Sequence, residues 1–221
     1  MRHILAFTLA ASLAPMAQAA PVILDFAGNI CGAGGDQACA PGAIIGQTYG
    51  DIAGQLDVVY DASRSAAGTS NLYYWDAGYE TLANVAYGDF GAGGLSILFQ
   101  PLAGFMVTVF GFDIAPYASR VTDTLVQVID TATNSLLVNQ GFTPLPSGEV
   151  TQFSGSWTSA SGIQINLGPD AWDVGISNIS YSVAPVGPDT PSPVPLPAAG
   201  WLMLAGLGGL GAIARRRRTA A

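Results

Sequence analysis

From Val22 to Val183 apolar residues recur at every second position, in short runs cut by Gly, Pro, Asn and Asp. An extended chain sends alternate side chains to opposite faces, so this period selects strands and leaves no room for long amphipathic helices. Ten segments read as strands: 22–28, 55–61, 71–75, 94–100, 105–114, 124–130, 135–140, 149–157, 162–168 and 174–183. The chain has no Lys and only two Glu, Glu80 and Glu149, whereas helix surfaces draw heavily on both residue types. Half of its residues are hydrophobic, which excludes a disordered chain. Ile163, Ile165 and Leu167 alternate with Gln164 and Asn166, predicting one face in and one face out. Val126 and Val128, set among Leu125, Gln127 and Ile129, predict a strand buried on much of both faces. About ten short strands fit two packed antiparallel sheets. The expected fold class is all-β, an antiparallel jelly-roll-like β-sandwich over residues 20–183.

Charge narrows the function. Residues 20–193 hold all fifteen acids and only Arg64 and Arg120, a formal charge of −13. Such a surface repels phosphate backbones and excludes nucleic acid as a partner. The single His is His3, inside the first few residues, so a trimmed chain has none. That excludes His-based acid–base catalysis, Ser-His-Asp and Cys-His nucleophiles, and His-ligated zinc. No G-x-S-x-G elbow is present, and no acid stands out as a desolvated proton donor for glycoside hydrolysis. The expectation is a chain that is not an enzyme, with no catalytic residue, no metal site and no cofactor. Asp57 with Asp61, and Asp170 with Asp173, are candidate oxygen ligands for structural calcium, although no EF-hand-type loop frames them. A solvated acidic surface is the plainer reading of both pairs.

The two ends read as addresses. Met1, Arg2 and His3 precede an apolar run from Ile4 to Leu13, and Ala17 and Ala19 supply the small residues that signal peptidase reads. Residues 1–19 are therefore expected to be a signal peptide, cut to leave Ala20 as the mature start. At the other end, Ala198 to Ala214 is 17 residues without a charge, followed by Arg215, Arg216, Arg217 and Arg218. As a helix that span is about 25 Å long, at the short edge of what crosses a bilayer. Five Gly weaken it further, so it reads as a marginal transmembrane helix that holds the chain temporarily. The arginines act as a stop-transfer signal and stay cytoplasmic, which leaves the acidic domain outside and residues 215–221 as a basic tail. Residues 184–197 are a Pro-rich linker, extended and open to a protease.

The run Val194-Pro195-Leu196-Pro197-Ala198, then Gly200-Trp201-Leu202, a Gly-rich apolar span and the arginine cluster, resembles the PEP-CTERM protein-sorting tail. It is closest to the variant whose signature is Val-Pro-Leu-Pro-Ala, in which Pro195-Leu196-Pro197 stands where the parent motif has Pro-Glu-Pro. The resemblance implies an exosortase-type transpeptidase as partner and export across the inner membrane of a Gram-negative bacterium. It also implies a single-pass membrane precursor that ends at the cell surface or in the extracellular matrix. Phe105 to Val183 further resembles β-sandwich modules that precede such tails, through Gly111-Phe112-Asp113, Asp130-Thr131 and Ile176-Ser177-Asn178-Ile179. Ser177 departs from the Asp usual there.

Two features of the domain remain. Cys31 and Cys39 are the only cysteines, and in an exported chain they are expected to form a disulfide; metal thiolates and a redox pair are the poorer alternatives. Tyr73, Tyr74, Trp75 and Tyr79 form an aromatic cluster in which alternation puts Tyr73 and Trp75 on one face and Tyr74 on the other. Tyr73, Trp75 and Tyr79 are candidate glycan-stacking residues, against the plainer reading of core packing that also applies to Trp157 and Trp172. The function expected is that of a sorted, non-enzymatic surface or matrix protein. A carbohydrate-binding module acting on exopolysaccharide is the first alternative, and a carbohydrate-active enzyme using Asp is the second.

Overall fold

The computed structural model describes residues 20–62, 71–88, 93–120 and 122–187. The expected signal segment, the sorting motif at 194–198, the membrane segment 198–214 and the arginine cluster all lie outside the described residues. Eleven strands follow in order: β1 (Val22–Leu24), β2 (Leu56–Asp61), β3 (Tyr73–Trp75), β4 (Val85–Tyr87), β5 (Leu95–Pro101), β6 (Phe105–Pro116), β7 (Thr122–Asp130), β8 (Ser135–Leu145), β9 (Thr151–Ser159), β10 (Ile163–Gly168) and β11 (Val174–Pro185). Each of the ten predicted strands is present, and β4 is additional. All pairings are antiparallel, in two sheets. One runs β3-β4-β11-β6-β9, with β1 also on β11; the other runs β2-β5-β10-β7-β8. Among the described residues no helix is long and apolar enough to cross a membrane.

Alternation builds the core. On β2, Leu56, Val58 and Tyr60 are buried while Asp57 and Val59 are exposed. On β10, Ile163, Ile165 and Leu167 lie beside Phe99, Ile97 and Leu95 of β5, and Ile165 and Leu167 also lie beside Val128 and Val126 of β7. These apolar rows meet Val107, Val109, Ile114, Ile176 and Tyr181 from the other sheet, all free of solvent. The ring of Phe99 lies 5.0 Å from that of Tyr181, joining the two layers.

Two expectations about faces are corrected. Asn166 is buried, not turned out to water, and accepts a 2.7 Å hydrogen bond from Gln164 Nε2. The reason is position: β10 is the central strand of its sheet, and Ser96 and Gln127 flank Asn166 on either side. On β7, Val126 and Val128 are buried, but Leu125, Gln127 and Ile129 are only half-buried. A two-layer sandwich covers one face of each sheet fully, so the second face of β7 is covered only in part.

The long connection between β1 and β2 is closed by hydrogen bonds and a covalent link. Tyr60 Oη donates to the Tyr49 carbonyl at 2.7 Å, Tyr181 Oη to the Gly50 carbonyl at 2.6 Å, and the Phe26 N–H donates to Tyr49 Oη at 3.0 Å. Burial pushes the phenols of Tyr49 and Tyr181 up to about 12, so both stay protonated donors at any physiological pH. Cys31 and Cys39 form a disulfide with Cα atoms 5.1 Å apart. The loop it closes is short, so the chain-entropy model gives about 2.5 kcal/mol of stabilisation. Replacing both cysteines by Ser is expected to lower the unfolding free energy by that amount, seen as a lower urea midpoint with the slope of the transition little changed. An unchanged midpoint would show that the loop is held without the bond.

Candidate functional site

The aromatic cluster sits on the outer face of the six-stranded sheet, where β3 and β4 form its edge. Alternation explains the placement. Tyr74 and Ala86 point into the main core, so their neighbours Tyr73, Trp75, Val85 and Tyr87 point out. The phenol of Tyr74 donates to Asn84 Oδ1 at 2.7 Å, which anchors the turn that returns the chain to β4. Tyr79, Leu82, Val85, Tyr87 and Ala115 are buried as a second, smaller apolar cluster, with Tyr73, Trp75, Tyr117, Val150 and Trp172 half-buried around it.

Three connections converge there. Tyr117 follows the end of β6, and its N–H donates to the Asp173 carbonyl at 2.8 Å. The Ala118 N–H donates to the Gly78 carbonyl at 2.7 Å, tying the turn after β6 to the turn after β3. The Tyr79 phenol donates to the Trp172 carbonyl at 2.7 Å. Gly175 on β11 makes room for the floor: a Cβ there would stand 2.8 Å from the Tyr79 ring and 2.8 Å from Val85. The turns around the cluster are unusual, because Glu80, Ala118 and Ser119 all hold left-handed backbone at φ of 53°, 53° and 54°.

Trp75, Tyr79, Tyr87, Tyr117 and Trp172 line a half-open cleft of about 230 Å³, a volume that includes solvent at its mouth. Its walls stand nearly at right angles. Trp75 meets Tyr87 at 84° and Tyr117 at 88°, with centroids 5.9 and 6.0 Å apart, and Tyr87 meets Trp172 at 84° and 5.3 Å. Tyr79 and Tyr87, 2% and 3% exposed, form the floor, so neither presents a free flat face. Tyr73 packs on Tyr87 at 5.7 Å outside the cleft.

Charged side chains lie on the turns that carry the cleft residues. Arg120 Nη1 reaches both oxygens of Asp173 at 2.9 and 3.0 Å, an exposed pair that adds little stability. Asp170 Oδ1 accepts from the Asp173 N–H at 3.4 Å, and burial, then the charge of Asp173, raises the Asp170 carboxyl above its usual value. Glu80 Oε2 accepts from Ser119 Oγ at 3.3 Å, while its Oε1 is buried with no hydrogen-bond partner among the described residues. Burial first, then the charges of Tyr87, Asp173, Tyr117 and Asp170, drive the Tyr79 phenol far above its ordinary range.

Of the predicted stacking residues, Trp75 and Tyr79 line this cleft and Tyr73 sits beside it; Trp172 joins them. Trp157 does not: it packs on Phe112 at 6.2 Å against the main core. Tyr87 and Tyr117 were not foreseeable locally, since each stands alone in its own segment and only strand order brings them together. Asp57 is exposed and Asp61 half-buried on β2, far along the chain from the Asp170–Asp173 turn. Among the described residues no group of three or more His, Cys, Asp or Glu is placed to hold a metal. Ser177 is fully buried; its Oγ donates to the Asn84 carbonyl at 2.9 Å and lies 3.3 Å from the Asp25 carbonyl. Two carbonyl oxygens call for a donor, which explains a hydroxyl here in place of a carboxylate.

A family model of the PEP-CTERM protein-sorting motif matches residues 193–218. The chain carries a PEP-CTERM sorting motif. That motif marks an exported, exosortase-sorted protein with a membrane-associated C-terminus. No curated protein matches the sequence. Among solved structures the chain is similar to a family 29 carbohydrate binding module, at 16% identity over 57% of this chain and 91% of that one, with a TM-score of 0.28. It is also similar to the isomalto-dextranase of Arthrobacter globiformis complexed with panose, at 13% identity over 58% of this chain, with a TM-score of 0.31. A third is the enzymatically active domain of tailspike protein 4 from bacteriophage CBA120, at 12% identity over 62% of this chain, with a TM-score of 0.27. The chain spans 23% of the dextranase and 20% of the tailspike domain.

Proposed function

We propose that this chain is a non-enzymatic surface or matrix protein of a Gram-negative bacterium, released by an exosortase from a temporary membrane hold. The observation that carries the reading is the sorting motif at 193–218, placed after a single sandwich that ends at Pro185. Beside the motif, the chain beyond His3 has no His, and the five residues that line the cleft are all Tyr or Trp. The signal peptide, the membrane span at 198–214 and the cytoplasmic arginines belong to the same reading and follow from the order of residues at the two ends. Carbohydrate contact is the second reading, favoured by the half-buried rings of Tyr73 and Trp75 on the sheet's outer face.

Intact mass of the protein from cells with and without the sorting enzyme tests the first reading. The expected result is a start at Ala20 in both, and loss of the tail beyond the Val194–Ala198 motif only where the enzyme is present. A chain that ends at Ala221 in both strains would reduce the motif to an ordinary anchor.

A further inference from the structure

The aromatic cleft has properties that fit one class of ligand better than the sugars first considered for it. A pyranose stacks on a flat, open ring face and brings several hydroxyls that need partners. Here the ring planes meet at 84° and 88°, so they form the walls of a box and no platform. The lining supplies almost no polar atoms, and the Tyr79 phenol already donates to the Trp172 carbonyl. A sugar hydroxyl seated among these rings would find few partners on the exposed lining, which is almost wholly ring carbon.

The surroundings carry a sign. Glu80, Asp170, Asp173 and the exposed Asp76 lie on the turns that bring Tyr79, Tyr117 and Trp172 together, and Arg120, the one cation there among the described residues, is paired to Asp173. Asp170 and Asp173 act on the floor of the cleft itself, since both add to the burial that raises the Tyr79 phenol. The whole domain is strongly acidic, which concentrates cations near it.

We propose that Trp75, Tyr117 and Trp172 wall an aromatic cage for a small quaternary ammonium group, over a floor made by the buried rings of Tyr79 and Tyr87. Ring faces attract such a cation, and a nitrogen bearing only carbon has no proton to leave unpaired when it enters an apolar box. The net carboxylate charge on the turns that carry these rings adds to the attraction. A choline-type group meets this description, whether free or as a lipid headgroup.

The probes are choline and the neutral alcohol in which carbon replaces its nitrogen, titrated into the exported protein and followed by calorimetry and tryptophan fluorescence. The expected result is saturable binding of choline, with the neutral isostere at least about tenfold weaker. Trp75→Leu keeps an apolar wall but removes the ring; it is expected to weaken choline about tenfold and leave the isostere within about twofold. If that variant does not fold, the choline-to-isostere ratio of the unaltered protein decides alone. Equal affinity for the two probes would overturn the proposal, as would no saturation with choline. Binding of neutral hexoses or a glycan array without binding of choline would also overturn it, in favour of the carbohydrate reading. Co-sedimentation with phosphatidylcholine vesicles, set beside binding of free choline, separates a bilayer source from a soluble one. None of these outcomes bears on the tail, so failure of the cage is distinct from failure of the sorting reading.

Discussion

Phe99→Ala is expected to lower the unfolding free energy by about 3–5 kcal/mol. Phe99 sits on β5 with no solvent exposure, between Val58 of β2 and Ile163 of β10. Its ring also reaches across the sandwich to Tyr181 on β11, 5.0 Å away. The cavity would therefore open where strands of both sheets meet, with backbone ladders on either side that resist collapse. A domain of this size has about 5–15 kcal/mol of stability in all, so the variant should lose about a fifth of it or more. Thermal melting should fall by roughly 10 °C. Tyr181 holds the Gly50 carbonyl at 2.6 Å, so the same change should speed hydrogen exchange in the connection before β2. A loss below about 1 kcal/mol would mean that the two sheets are not joined through this ring.

Gly111→Val is expected to cost about 3 kcal/mol or more, for the opposite reason. Gly111 lies on β6 at a register shift shared with β9, and a Cβ built there collides with the Phe153 carbonyl oxygen, with Phe153 C and Ser154 Cα each 3.3 Å away. The obstacle is backbone of a paired strand, which cannot rotate aside as a side chain can. Space must come from moving β9, whose residues Phe153 and Trp157 pack on Phe112 at 5.0 and 6.2 Å. Urea unfolding of the variant measures the effect. A midpoint equal to that of the parent would show that β9 yields freely, and that the glycine does not answer to this close approach.

The strands were legible because most of them are long enough for a period of two to show. Val85–Tyr87 was not: three apolar residues between Asn84 and Gly88 carry no period, and the strand exists because it lies between Trp75 and Ile176 partners that the sequence does not reveal. Facing was legible where a strand has one covered side, as on β2, and misleading on β10, where central position buries Asn166. Half of the cleft could be read. Trp75 and Tyr79 lie four residues apart and announce themselves as a cluster. Tyr87 and Tyr117 come from other segments, and neither has a local pattern that marks it. They join the site only because β4 and β6 both border β11. The corner of ring planes that makes the cleft a box is a property of that strand order, which no local spacing encodes.

Val22, Ile23 and Leu24 hydrogen-bond alongside Tyr181, Ser180 and Ile179, so the first strand of the domain takes the last as its partner. A chain that crosses a membrane N-terminus first must therefore hold its opening residues unpaired until nearly all of the domain has followed. Closure is a late, high-contact-order event, slow by the loop entropy it must overcome. In the scheme proposed above, a tail that detains the C-terminus at the bilayer would leave both halves of this final ladder on the outer side, so that the sandwich could be sewn shut before the molecule is set free.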